Sequence, residues 1–172
     1  MKAQPILDFW FKELTPKQWF AKSEELDNTI AKRFSDTLKA AAKGELWHWR
    51  ETPHGRLAEV IVLDQFSRNI YRGSSRAFGQ DVIALVLAQE AVEKGADKSL
   101  NASEKAFLYM PYMHSESALI HDEAMRLFSQ PGLENNKEII DRFGRYPHRN
   151  RVLGRESTPE EEGFLKQPGS SF

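Results

Sequence analysis

The chain predicts an all-α fold, an array of about seven or eight helices in one domain. Three observations predict it. Apolar residues recur at three- and four-residue spacing through most of the sequence. Residues that start and stop helices bracket those stretches. No run alternates apolar and polar residues with the period of two that a half-buried strand requires.

The segment "MKAQPILDFWFKEL" has a short apolar run, broken by Asp8, and no small-residue cleavage site, so it reads as part of the folded protein. "SEELDNTIAKRFSDTLKAAAKG" opens with Ser23 as N-cap and closes with Gly44 at the position after the C-cap. Within it Leu26, Ile30, Phe34, Leu38 and Ala41 form one apolar face. "TPHGRLAEVIVLDQF" places Thr52 at an N-cap and Pro53 at the first helical position, where its missing N–H costs nothing. "GQDVIALVLAQEAVEKG" is expected to end at Gly95, and "NASEKAFLYM" to stop at Pro111. "SESALIHDEAMRLFSQ" is expected to stop at Pro131-Gly132, and "LENNKEIIDRF" runs into "RFGRYPHRNR". "STPEEEGFL" repeats the Thr-Pro start, with Glu160, Glu161 and Glu162 favourable to the helix N-terminus. Residues 1–166 are expected to form the single helical domain and 167–172 a frayed tail.

Of the 172 residues, 40% are hydrophobic and 28% charged, and the net charge is −1. That balance fits a soluble globular protein and argues against one that works by coating nucleic acid. There is no cysteine, which excludes disulfides and thiolate metal sites. No stretch approaches the roughly 18 apolar residues of a membrane span. A cytoplasmic protein with no membrane or nucleic-acid partner is expected.

The cations are segregated. Between Lys43 and Lys94 there is no lysine but there are five arginines: Arg50, Arg56, Arg68, Arg72 and Arg76. Between Lys137 and Lys166 there are again five: Arg142, Arg145, Arg149, Arg151 and Arg155. Guanidinium is planar, weakly hydrated and able to bond a carboxylate or phosphate at two points, whereas lysine suits a wet surface. Residues 44–93 and 138–165 are therefore expected to be the enclosed parts, facing each other. In the helix from Arg56 to Tyr71, Leu57, Val60 and Ile61 define a stripe that Asp64, Arg68 and Tyr71 continue, with Arg72 at its border. Leu63, Phe66 and Ile70 lie opposite. Charge on such a face needs a partner. Asp64 and Arg68 can pair at i, i+4. Glu116, Asp122, Asp141 and Glu156 are candidates for the remaining arginines.

The stretches "LDFWF", "ETPHGRLAEVIVLDQFSRNIYRG", "FLYMPYMHSE" and "RFGRYPHRNRVLGRESTPEEEGFL" resemble, in order, the motifs of an uncharacterised bacterial family, domain of unknown function 924. The resemblance spans essentially the whole chain. It implies an all-α, tetratricopeptide-like superhelical fold and no particular reaction. No 34-residue repeat is visible in the sequence itself.

Other chemistry is sparse. His114 and His121 are seven residues apart, about 10 Å along a helix, too far for one metal without further ligands. His121-Asp122 is a two-letter match to the His-Asp pair of metal-dependent phosphohydrolases, with satisfied histidines as the plainer reading. No metal or cofactor is expected. His148, beside Tyr146-Pro147 and Arg149, could act as a base or a donor, or simply pack and bond a backbone carbonyl. No nucleophile turn or glycine-rich phosphate loop is present. The leading expectation is an arginine-rich pocket for an anionic small molecule or a carboxylate-bearing peptide. Asp64 and Asn69 would order it, Arg68, Arg72, Arg145 and Arg149 would hold the anion, and His114 and His148 would lie at its rim. The alternatives are a phosphoester hydrolase using His148 or Asp64, and a structural or protein-interaction module without a ligand.

Overall fold

The computed structural model describes residues 1–129 and 132–171. Those residues are helical or loop throughout, with no strand among them. The fold is all-α.

The chain divides into two compact units: Met1–Arg72 with Arg76–Pro111, and Gly73–Ser75 with Tyr112–Phe172. The first unit starts with α1 (Gln4–Asp8), which runs into a π turn, Phe9–Glu13. Then follow α2 (Pro16–Trp19) and the long α3 (Glu24–Ala42). Ser23 caps α3 by accepting from the Leu26 N–H, and Gly44 adopts φ +72° just past its end. The expected helix around Asp64 is three stretches end to end. These are α4 (Pro53–Ile61), a second π turn (Val62–Phe66) and α5 (Ser67–Ile70). Thr52 caps α4 through the Gly55 N–H. Then comes α6 (Asp81–Glu93), ended by Gly95 at φ +69°.

Next, α7 (Ala102–His114) opens with a reciprocal cap between Asn101 and Glu104. It does not stop at Pro111 but continues one turn past it. A proline inside a helix forfeits one backbone hydrogen bond. Here Leu108, Tyr109, Met110, Tyr112 and Met113 around it are all buried, so packing holds the helix where local preference would end it. The boundary between the units follows Pro111.

The core of the first unit is aromatic. Phe34 stacks on Phe66, their ring centroids 5.1 Å apart, and Phe9 and Trp10 close on the same ring at 6.2 and 5.7 Å. Aromatic contacts of this kind, stacked, tilted or edge-on, add about 0.5–1.5 kcal/mol beyond burial. Both π turns contribute to it, the first with Phe9 and Trp10, the second with Phe66. Packing of α3 on α5 and the second π turn, and of α4 on α6, builds the rest.

In the second unit α8 (Ala118–Leu127) packs on α9 (Leu133–Phe143). Extended backbone at Phe128 ends α8 before the expected stop. Pro131 lies outside the described residues. Gly144, at φ +66°, ends α9 and turns the chain into a short 3-10 stretch, Pro147–Arg149. The last helix, α10 (Pro159–Leu165), starts from Thr158 in a full capping box with Glu161. Ile139, Ile140 and Tyr146 form the core here, with Phe143 and Phe164 against it. In the tail, the Ser170 hydroxyl donates to the Leu165 carbonyl.

Candidate functional site

The residues singled out above fall into two clusters, one in each unit. In the first, Asp64 sits within the second π turn with no exposed surface. Its Oδ1 accepts from Arg68 Nη1 at 3.2 Å, the anticipated i, i+4 pair, and its Oδ2 from Gln65 Nε2 at 2.6 Å. The stronger partner of Arg68 is Asp81 at the start of α6, met by two parallel bonds of 2.8 and 3.0 Å. Asn69 and Arg72 converge on Asp27 in the first turn of α3. Asn69 donates at 2.8 Å, and Arg72 donates through Nε to Oδ2 and through Nη2 to Oδ1. Burial pushes the Asp27 carboxyl upward, but the bonds from Arg72 and Asn69 outweigh it and hold it below the ordinary range. Glu59, on α4 and fully buried, is met by Arg50 at 2.7 and 2.8 Å.

The second cluster is built on "RFGRYPHRNR". Arg145 donates from Nε and Nη2 to the two oxygens of Glu161 at 2.6 and 2.8 Å, and from Nη2 to the Glu156 carbonyl. The capping box holds Glu161 in place, because the Thr158 N–H and Asn150 Nδ2 also donate to it. With Arg145 bonded and burial opposing, its pKa falls to about 2. Asn150 Oδ1 accepts from Arg155, which reaches Glu116 by two bonds of 2.7 and 2.9 Å. The Tyr146 N–H donates to Glu116 too. Burial raises the Glu116 pKa, but these bonds and the charges of Arg149 and Arg155 bring it below its usual value. Arg149 is 5% exposed, lies 4.7 Å over the Tyr146 ring and donates to the His114 carbonyl at 2.9 Å. The His148 ring lies 5.6 Å from the Tyr146 ring. Beneath them, His121 Nε2 donates to the Ser115 carbonyl at 2.8 Å and lies 3.3 Å from the Tyr146 hydroxyl, which donates to the Met113 carbonyl.

Thus Asp64, Arg68, Asn69 and Arg72 come together in the first unit, and His114, Arg145, His148 and Arg149 in the second. Of the carboxylates nominated as arginine partners, Glu116 takes Arg155, while Asp122 and Asp141 take Lys137 instead. Segregation of the two cations is not a clean division between inside and outside: the Lys137 side chain is 27% exposed and that of Arg142 49%. Sequence reasoning missed Asp27, Asp81 and Glu59 as counter-charges. It also read Glu161 only as a charge at a helix start. The Thr-x-x-Glu spacing was the available signal, since a capping box fixes its glutamate at the third helical position. Asp27 is 45 residues from Arg72 and carries no local signal.

Among the described residues no three histidine, aspartate or glutamate side chains converge as metal ligands, and no helix is long and apolar enough to cross a membrane. No curated protein matches the chain. Its structure is similar to that of a protein of unknown function from Agrobacterium tumefaciens, with a TM-score of 0.90 and 38% identity over 95% of this chain and 96% of that one. Residues 6–169 match a family of bacterial proteins of unknown function, and the chain belongs to that family, DUF924.

Proposed function

We propose that this protein works by binding, as a helical scaffold, and that its arginine-rich segments are internal braces of that scaffold. One observation carries the reading. Arg50, Arg68, Arg72, Arg145 and Arg155 each meet a carboxylate through two nitrogens, on Glu59, Asp81, Asp27, Glu161 and Glu116. An anionic small molecule or a carboxylate-bearing peptide arriving at any of them would have to displace an acid already held at two points. A hydrolase using Asp64 as base gains no support, since a base must come within about 3 Å of the proton it takes. Asp64 has no exposed surface, and both its oxygens accept bonds from its own helix.

The test is a set of thermal melts of wild type, Arg145→Lys and Arg149→Lys in phosphate, sulfate and succinate, with chloride at matched ionic strength. Lysine keeps the charge and loses the planar fork. Arg145→Lys should lower stability in every salt alike. A rise specific to phosphate or succinate in wild type, lost in Arg149→Lys, would replace the brace with an anion site at Arg145, Arg149, His114 and His148.

A further inference from the structure

We propose that a cavity in the first unit, between the end of α3 and the start of α6, binds a small amphipathic acid. This is an anionic group carried on an apolar or aromatic body. The cavity has a volume of about 300 Å³, at the lower end of the range that small-molecule sites occupy. Its floor is apolar, formed by Leu38 and Ala42 of α3, one helical turn apart, with the Tyr71 ring as a wall. Three cations surround that floor: Lys39, Lys43 and Arg76. None of the residues lining it is acidic.

Each lining group adds a constraint on the ligand. The Arg76 guanidinium lies 3.8 Å over the Tyr71 ring, so its charge is fixed beside the apolar wall. Lys39 and Lys43 pair with Asp36 at 2.9 Å and Glu45 at 3.9 Å, both acids standing outside the lining. Those side chains are largely in water, where an ion pair contributes little and exchanges readily. The remaining polar groups are the Tyr71 hydroxyl and the Gln80 amide. The Gln80 Oε1 is buried and bonds no described residue. An apolar floor does not suit a bare hydrated anion, and a ring of cations gains nothing from a neutral hydrocarbon. A single aromatic ring or short chain bearing one acid group satisfies both, with Gln80 available to a further polar atom.

None of the braced arginines takes part, so this site and the brace reading fail separately. The experiment titrates the full chain, by saturation-transfer NMR and calorimetry, with phenylacetate, phenyl phosphate, phenylacetamide and acetate. Phenylacetate or phenyl phosphate should bind, and whichever is tighter identifies the acid group as carboxylate or phosphate. Phenylacetamide and acetate should each bind about tenfold more weakly or worse. Ala42→Phe, which fills the floor, should abolish binding. Lys43→Gln, at an exposed position, should weaken it about threefold or more. Arg149→Lys should bind as wild type does. The proposal is overturned by equal affinity for phenylacetate and phenylacetamide, by unchanged binding in a folded Ala42→Phe or in Lys43→Gln, by loss of binding in Arg149→Lys, or by no binding of either aromatic acid at millimolar concentration.

Discussion

Glu161 ties part of this protein's stability to acid pH. It is nearly buried, bonded by Arg145, Asn150 and the Thr158 N–H, and titrates at about 2 instead of 4.5. A carboxyl whose folded pKa lies below its unfolded one stabilises the fold above the unfolded value. That contribution disappears as pH falls from about 4.5 towards 2. A shift of that size corresponds to about 3 kcal/mol at most, less what solvent screening removes. Glu161→Gln should therefore cost about that much at pH 7, and the gap between variant and wild type should close on the way down to pH 2. His121 acts in an earlier window. Burial depresses its pKa, so the unfolded chain binds the extra proton first, and stability should begin to fall as pH drops below about 6.5. Denaturant midpoints measured from pH 8 to 2 should show both steps, the first absent in His121→Gln and the second smaller in Glu161→Gln, since Asp27 and Glu116 are also held below the ordinary range. A wild-type curve flat from pH 7 to 5 would show that His121 is not held neutral by the fold.

At the scale of the helix, two glycines in helical backbone predict opposite outcomes for one substitution. Alanine is favoured over glycine inside a helix by about 0.5–1 kcal/mol. At Gly163 in α10 a Cβ meets nothing within 4 Å, so Gly163→Ala should gain that amount. At Gly55 in the first turn of α4 a Cβ would stand 1.9 Å from the Trp49 carbonyl oxygen and 2.9 Å from the Thr52 hydroxyl that caps the helix. Backbone cannot swing aside as a side chain can, so Gly55→Ala should lose about 2–3 kcal/mol despite its better propensity. Thermal melts of the two variants decide it, and equal shifts of the same sign would contradict the geometry. The caps of α3, α4 and α10 could be read from the sequence because their bonds span only three residues. By contrast, the continuation of α7 through Pro111 and the two π turns depend on what packs around them. Period and propensity therefore gave an ordinary helix end at Pro111 and an ordinary helix through Val62–Phe66.

For the molecule as a whole, charge and exposed apolar surface act together. The sequence pI is about 6.5, and α6 leaves Val82, Ile83 and Val86 open to water at successive positions of one face. Near its pI a protein loses the self-repulsion that keeps exposed apolar patches apart. Light scattering between pH 5.5 and 8.5 should show association peaking near 6.5, and Val82→Lys should reduce the peak and move it to higher pH. A peak unchanged in Val82→Lys would clear α6 of involvement. At this scale the fold class was legible, because helical periodicity and punctuation repeat along the entire chain. The counter-charges were only partly so. Asp64 and Arg68 lie within one helical turn, whereas the acids that hold Arg72, Arg145 and Arg155 lie 45, 16 and 39 residues away. Nothing in local sequence encodes a pairing over such a span.

The second π turn resembles a dislocation in a crystal: one residue too many for the lattice, able in principle to glide. Taking that residue out of Val62–Phe66 would turn everything after it by about 100° and carry Arg68, Asn69 and Arg72 away from Asp81 and Asp27. Those two carboxylates, on α6 and α3, are therefore pinning sites for a defect as well as counter-charges. While both grip, the extra residue stays where it leaves Asp64 sealed inside. Were both removed, the stretch after the fault would lose the two carboxylates that fix its rotation.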